Sequence, residues 1–122
     1  MQNEKDKFKK DFIQRLIRFS LRTIDFCQTL KNERKYWVII DQLIRAATSI
    51  GANVVEAKSS SSRRDYIKFF EIALKSANET KYWLILVKEL VSDKGKAQVL
   101  LQEADEISKV IGSSVLTLKG KK

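Results

Sequence analysis

The chain has 122 residues, 43% of them hydrophobic, which suffices for one continuous core and not for two, so a single domain is expected over 1–122. It has no histidine and one cysteine, Cys27, which removes the commonest general base and zinc ligand and excludes an internal disulfide. Against 15 Asp and Glu stand 24 Lys and Arg, and the net charge of +9 suits an anionic partner (RNA, DNA, an acidic protein surface, anionic lipid) as well as it suits a merely soluble surface.

Proline is absent and glycine occurs 4 times, so long helices with short connections are expected, and the fold class is all-α: an antiparallel up-down four-helix bundle. The start, MQNEKDKFKK, leads into no apolar run of the signal-peptide kind, and the uninterrupted apolar runs are shorter than a membrane span. A cytoplasmic protein that does not enter a membrane is expected.

Helix 1 is expected at about 6–31, with Phe12, Leu16, Phe19, Ser20, Ile24 and Cys27 near one face and Ile13, Ile17 and Leu30 beside it. Cys27 reads as a packed thiol. Lys9, Lys10, Arg15, Arg18 and Arg22 take the solvent side. The spacing puts Arg15, Arg18 and Arg22 on one strip, a candidate anion-binding surface whose bland alternative is a row of solvated arginines. Membrane-surface binding by this helix is disfavoured, because Phe12 and Leu16 are needed in the core.

In the segment KNERK apolar periodicity lapses, and Asn32 is the candidate cap for helix 2, expected at about 34–58. There Tyr36, Ile40, Leu43, Ala47, Ile50, Val54 and Ala57 form a stripe that Trp37, Ile44 and Gly51 widen. The opposite face carries Asp41, Gln42, Arg45, Ser49, Asn53 and Glu56. The serine tract that follows reads as a plain connection, with a phosphorylation site or phosphate-contacting loop as the alternative. Ser62 and Asp65 have capping-box spacing, which starts helix 3 at Ser62 and runs it to Ser92. Tyr66, Phe70, Ala73, Ala77, Leu84, Val87 and Val91 mark its stripe, interrupted by Thr80 and flanked by Phe69, Trp83 and Leu90. Helical spacing favours packing over base stacking for these aromatics. Arg63, Arg64 and Lys68, at the hairpin between helices 2 and 3, are further candidates for nucleic-acid contact.

Small residues (Ala46, Ala47, Ser49, Gly51 and Ala52 facing Ala73, Ser76 and Ala77) would let helices 2 and 3 approach closely. A turn near Ser60 puts residue 45 opposite about 76, with Arg45 within a turn of Glu79; Glu56 can then meet Arg63 or Arg64, and Asn53 can hydrogen-bond across the gap. Arg45, Ser49, Asn53, Glu56, Ser76 and Glu79 are read as structural polar groups. They offer an acid and hydroxyls, yet no base paired with a nucleophile, so no enzyme is expected. Neither a metal site, a cofactor site nor a glycine-rich phosphate loop is legible. Gly95 is the turn residue before helix 4, expected at about 97–118 on Leu100, Ala104, Ile107, Ile111, Ser114 and Leu118. Lys119, Gly120, Lys121 and Lys122 form a cationic tail expected to fray. The surplus apolar width around Trp37, Ile44, Phe69, Trp83 and Leu90 points to a homo-oligomer or a protein partner.

Residues 42–87 carry a denser pattern: Arg45-Ala46, Ser49-Ile50, Ala52-Asn53, Glu56-Ala57, Ser62-Arg63, Asp65-Tyr66-Ile67, Ala73-Leu74, Glu79-Thr80 and Tyr82-Trp83-Leu84. This pattern resembles the bacterial four-helix-bundle family encoded in intervening sequences of 23S rRNA genes, the S23 proteins. Gly51 and Ala57 stand where the common family form has proline and glycine, as in the branch reading SIGAN and EA. That family is similar to the accessory variability protein of diversity-generating retroelements, a basic pentameric bundle working with a reverse transcriptase and nucleic acid. The resemblance therefore implies a pentamer with a basic surface that holds structured RNA.

Overall fold

A computed structural model describes residues 3–120; Lys121 and Lys122 of the cationic tail lie outside the described residues. The chain is all-α, with helices α1 (Glu4–Gln28), α2 (Trp37–Lys58), α3 (Arg63–Leu90) and α4 (Lys94–Leu118), and a 3₁₀ turn at Arg34–Tyr36. Each helix packs on its neighbours in chain order and α4 closes back on α1, so the four surround one core. The α2–α3 and α3–α4 seams are extensive, whereas α1 is attached more lightly.

Chemistry at the helix ends explains where the boundaries depart from expectation. Asn3 accepts a hydrogen bond from the Asp6 amide at 2.8 Å, and Glu4 and Asp6 complement the helix dipole, so α1 begins at Glu4 rather than near residue 6. It ends at Gln28 rather than near 31, where the Thr29 hydroxyl donates to the Phe26 carbonyl at 2.7 Å. Asn32 caps nothing. The Trp37 indole N–H donates instead to the Lys31 carbonyl at 2.9 Å, and α2 starts at Trp37 after the 3₁₀ turn rather than at 34. Ser62 does cap α3, accepting from the Asp65 amide at 3.1 Å. At the far end Val91 turns extended (ψ 157), which stops α3 at Leu90 rather than Ser92. That chain reversal needs no left-handed residue. Gly95 accordingly lies inside the first turn of α4, which begins at Lys94 rather than near 97, and Gly120 is the glycine with positive φ. The Lys94 ammonium reaches back to the carbonyls of Lys88 (2.8 Å) and Val91 (3.4 Å), neutralising the end of α3.

The core stripe of α1 runs through Phe12, Leu16, Phe19, Thr23, Phe26 and Cys27, displacing Ser20 and Ile24 from the enclosed positions. Thr23 is fully buried because its hydroxyl donates to the Phe19 carbonyl at 2.9 Å within the helix. Thr80 does the same to Ser76 at 2.7 Å, so it continues the α3 stripe rather than interrupting it. By length and composition Arg34–Lys58 could cross a membrane, at mean hydropathy 1.3. Its apolar residues Ile40, Leu43, Ala47 and Ile50 are, however, enclosed by the neighbouring helices, as in the core helix of a bundle.

Between α2 and α3 the contact is made by Ala46, Ala47, Ala73 and Ala77, all at most 1% exposed. A leucine at Ala77 has no room, and Ala77→Leu is expected to cost about 1–3 kcal/mol through overpacking. A Cβ at Gly51 would instead stand 3.5 Å from the Leu16 Cβ, ordinary van der Waals contact, in a helix that glycine disfavours. Gly51→Ala should therefore stabilise by up to about 1 kcal/mol. Chemical denaturation of the two variants checks both signs.

Candidate nucleic-acid interface

The register of the α2–α3 hairpin is built from short polar groups beside the alanines. Ser49 and Ser76 meet at 3.0 Å, and the Asn53 side-chain amide donates to the Ser49 carbonyl (2.8 Å) and hydroxyl (3.0 Å). Asn53 thus bonds along its own helix, and Ser49 makes the crossing. The connection of residues 59–62 centres near Ser60 as expected, but the Ser49–Ser76 bond sets 76 opposite 49 rather than 45, about one turn from the expected register. Arg45 pairs directly with Glu79, which also accepts from the Trp83 indole at 3.0 Å. The Trp83 bond, helped by Arg45, holds the Glu79 carboxyl below its usual range. Glu56 meets neither Arg63 nor Arg64; it is exposed and makes no ion pair among the described residues. Six residues read as structural polar groups thus divide into two bonded sets and one solvated acid.

The arginine strip of α1 does not stay together. Arg15 turns toward α4 and grips Glu103 with two bonds, Nε at 2.8 Å and Nη2 at 2.6 Å, with Glu106 at 3.4 Å. Hydrogen bonding to Arg15, reinforced by the charges of Arg15, Arg22 and Arg18, lowers the Glu103 carboxyl from its usual value. The same bond raises the Arg15 guanidinium. Arg18 and Arg22 are exposed, and among the described residues neither has an ion pair or hydrogen bond.

At the hairpin end, Arg63, Arg64, Lys68 and Lys119 surround a shallow hollow with Ile67 and Glu71. Arg63 donates to the Leu118 carbonyl at 2.6 Å, and Lys119 pairs with Glu71 at 2.5 Å. Both bonds tie the end of α4 to the start of α3. Arg64 and Lys68, one turn apart, are exposed and have no partner among the described residues. Lys119 enters this cluster although its sequence position suggests a frayed tail; the signal was the apolar periodicity of α4, which runs to Leu118. The two cation groups lie on opposite flanks of α4. The levels marked by Glu103 and Leu118 differ by about 22 Å at 1.5 Å rise per residue.

A further network is invisible to single-helix periodicity, whereas the burial of Cys27 follows the expectation of a packed thiol. Asp105 joins Lys109 (3.1 Å) and Lys81 (3.4 Å), and Lys81 also donates to Ser108 at 3.1 Å. Its carboxyl is lowered, first by the Lys109 hydrogen bond and then by Lys81. Cys27 is wholly buried, and desolvation pushes its thiol up to about 11. Among the described residues no group of three His, Cys, Asp or Glu is placed to hold a metal ion. Nor do the hydroxyls and Glu56 assemble with a base.

Fold and surface together define a helical bundle whose exposed chemistry is clustered cations on a small-residue framework. The sequence profile of the 23S rRNA-intervening sequence proteins matches residues 9–113, and the chain belongs to that family. A crystal structure of a protein of unknown function from the S23 ribosomal protein family of Bacteroides thetaiotaomicron superposes with a TM-score of 0.77 at 36% identity, covering 85% of this chain and 97% of that one. Among curated proteins none matches the chain significantly.

Glu103, Glu79 and Asp105 are each lowered in the folded state from ordinary values of 4.5, 4.5 and 3.8. Their contribution to stability is present above those values and is lost as pH falls through the lower folded ones. Melting temperature should therefore decline on acidification below about pH 5. Glu103→Gln should flatten that decline and cost about 1 kcal/mol at neutral pH, because the Arg15 pair is only part-exposed. Thermal melts from pH 7 to 3 read both effects.

Proposed function

We propose that this protein is a non-enzymatic cytoplasmic scaffold that binds structured RNA through its basic surface. The observation that carries the reading is the hairpin-end cluster, where Arg64 and Lys68 stand unpaired beside Arg63 and Lys119. Four cations around one hollow, with a single carboxylate among them, suit phosphate oxygens. Arg18 and Arg22 on α1 supply a second contact region about 30 Å away along the bundle, since Arg22 lies level with Val99 and the first cluster with Leu118, at 1.5 Å rise per residue. Such spacing favours an extended polyanion over a small one. The family description names 23S rRNA intervening sequences, which makes a structured ribosomal RNA fragment the first ligand to try. Affinity should fall steeply with salt. Replacing Arg63, Arg64 and Lys68 together by alanine should weaken binding across sequences and reduce the slope of log affinity against log salt by about 2. Binding titrations of nuclease-treated protein at several salt concentrations check this, with length-matched duplex DNA alongside; affinity indifferent to salt would sink the reading.

A second reading, a homo-oligomeric interaction module, rests on a different surface. The apolar flank centred on Phe69, Trp83 and Ile44 is half-covered by packing against the core, which leaves Trp37 and Leu90 exposed from that set. More open are Leu21, 61% exposed, and Val99, 51% exposed, which border a groove of about 670 Å³ between α1 and α4. A closed ring, the pentamer implied by the resemblance included, would bury this face and multiply a weak basic patch into avidity. Light scattering should give a size that is a multiple of the monomer, and Leu21→Glu with Val99→Glu should return it to one chain. A wild-type protein that stays monomeric at micromolar concentration would dismiss this reading.

A further inference from the structure

At the hairpin end the bundle also opens into a cavity of about 560 Å³, separate from the outer basic hollow. Its walls come from all four helices: Phe12 and Ile13 of α1, Val54 and Ala57 of α2, Phe70 of α3, and Leu118 of α4. Aromatic rings stack in pairs along two of these walls, Phe8 on Phe12 and Tyr66 on Phe70, with centroids 6.2 and 5.0 Å apart. The volume lies in the range of small-molecule sites and is far too small for a folded partner.

The rim has one sign of charge. Lys5, Lys9, Lys58 and Arg63 line it, and no Asp or Glu does. Lys9 is held at the mouth, its ammonium 5.2 Å from the centre of the Tyr66 ring, which bridges α1 to α3. Three of the lining hydroxyls are engaged with the chain's own backbone, while Ser61 and Thr117 are exposed at the mouth. Ser60 donates to Ala57 (2.6 Å), Ser114 donates to Val110 (3.0 Å), and Ser62 accepts from the Asp65 amide (3.1 Å). Among the described residues no Asn or Gln lines the cavity, so no side-chain amide is set to read the edge of a nucleobase.

We infer that this cavity binds a single-chain anionic amphiphile, its alkyl tail between the Phe12 and Phe70 walls and its head group against Lys9 and Lys58. Walls of Phe8, Phe12, Ile13, Val54 and Phe70 match an alkyl chain, and a rim of cations without carboxylates matches one anionic head. The site shares Arg63 with the basic hollow, but Lys9, Lys58 and the apolar walls play no part in that cluster, so variants at those positions test it separately from the RNA reading.

The test is calorimetric titration of the whole protein with octanoate, decanoate and dodecanoate below their micelle concentrations, and with dodecyl phosphate and dodecanol. One saturable site per chain is expected, tightening about three- to fourfold per added methylene. Carboxylate and phosphate heads should both bind, and their ratio identifies the preferred source of the anion; dodecanol should bind at least tenfold more weakly. Lys9→Gln with Lys58→Gln should weaken dodecanoate about tenfold and leave dodecanol unchanged. Ser114→Phe should fill the cavity and abolish binding; Thr117→Trp, at an exposed rim position, is the second blocking variant should the first fail to fold. RNA affinity should survive Ser114→Phe, which separates this site from the basic surface. Absence of saturable binding, equal affinity for dodecanol, or a flat chain-length series would overturn the inference.

Discussion

The close approach of α2 and α3 is the constraint from which the other positions follow. Ala46, Ala47, Ala73 and Ala77 are each at most 1% exposed in two helices with an extensive seam, and the Ser49–Ser76 bond locks the stagger at 3.0 Å. A larger side chain in that seam would separate the helices; a slip of one turn would part the serines. With residue 49 opposite 76, Arg45 falls beside Glu79, which already holds the Trp83 indole. The same stagger leaves the Ser62 cap at the hairpin tip, so Arg63, Arg64 and Lys68 enter the first two turns of α3 on its outer side. α4 then packs along α3, and the lightly attached α1 completes the ring of helices.

Net charge describes this surface poorly, because ion pairing decides which of the cations are left without an acidic partner. Glu103, Asp105 and Glu106 place three carboxylates on α4, and they take up Arg15, Lys81 and Lys109. Pairs this exposed contribute little to stability. Their larger effect is to select which cations stay available. Arg15 is drawn out of the α1 strip, leaving Arg18 and Arg22 exposed, and their field still lowers the Glu103 carboxyl. Among the arginines left without an acidic partner, Arg18 and Arg22 stand apart from the hairpin-end cluster of Arg63 and Arg64.

Helix existence is legible in the sequence because stripes at steps of three and four persist through every helix, with no proline to interrupt them. Boundaries are less so where long side chains provide the stop signals. Trp37 satisfies Lys31 and Lys94 satisfies Lys88 across six residues, interactions with no local sequence signature. Burial of Thr23 and Thr80 defeats polarity-based assignment because each hydroxyl is satisfied inside its own helix. The Arg45–Glu79 pair is legible from hairpin spacing, a matter of counting along two helices. The fate of Arg15 is not, since Glu103 lies 88 residues away and meets it only when α4 closes on α1.

The hairpin-end cluster also has an internal asymmetry. Arg63 is anchored by the Leu118 carbonyl, and Lys119 by Glu71, so both are partly ordered before any ligand arrives. A guanidinium has five N–H donors, so one bond to a carbonyl leaves others for a phosphate oxygen. Arg64 and Lys68 have no such anchors and lose rotamer freedom on contact, about 0.5–1.5 kcal/mol for each side chain immobilised. An anion docking here would therefore be oriented by Arg63 and Lys119, with Arg64 and Lys68 closing on it afterwards. Because those two anchors also fasten α4 to α3, the basic surface and the wall of the neighbouring cavity share the same mechanical support.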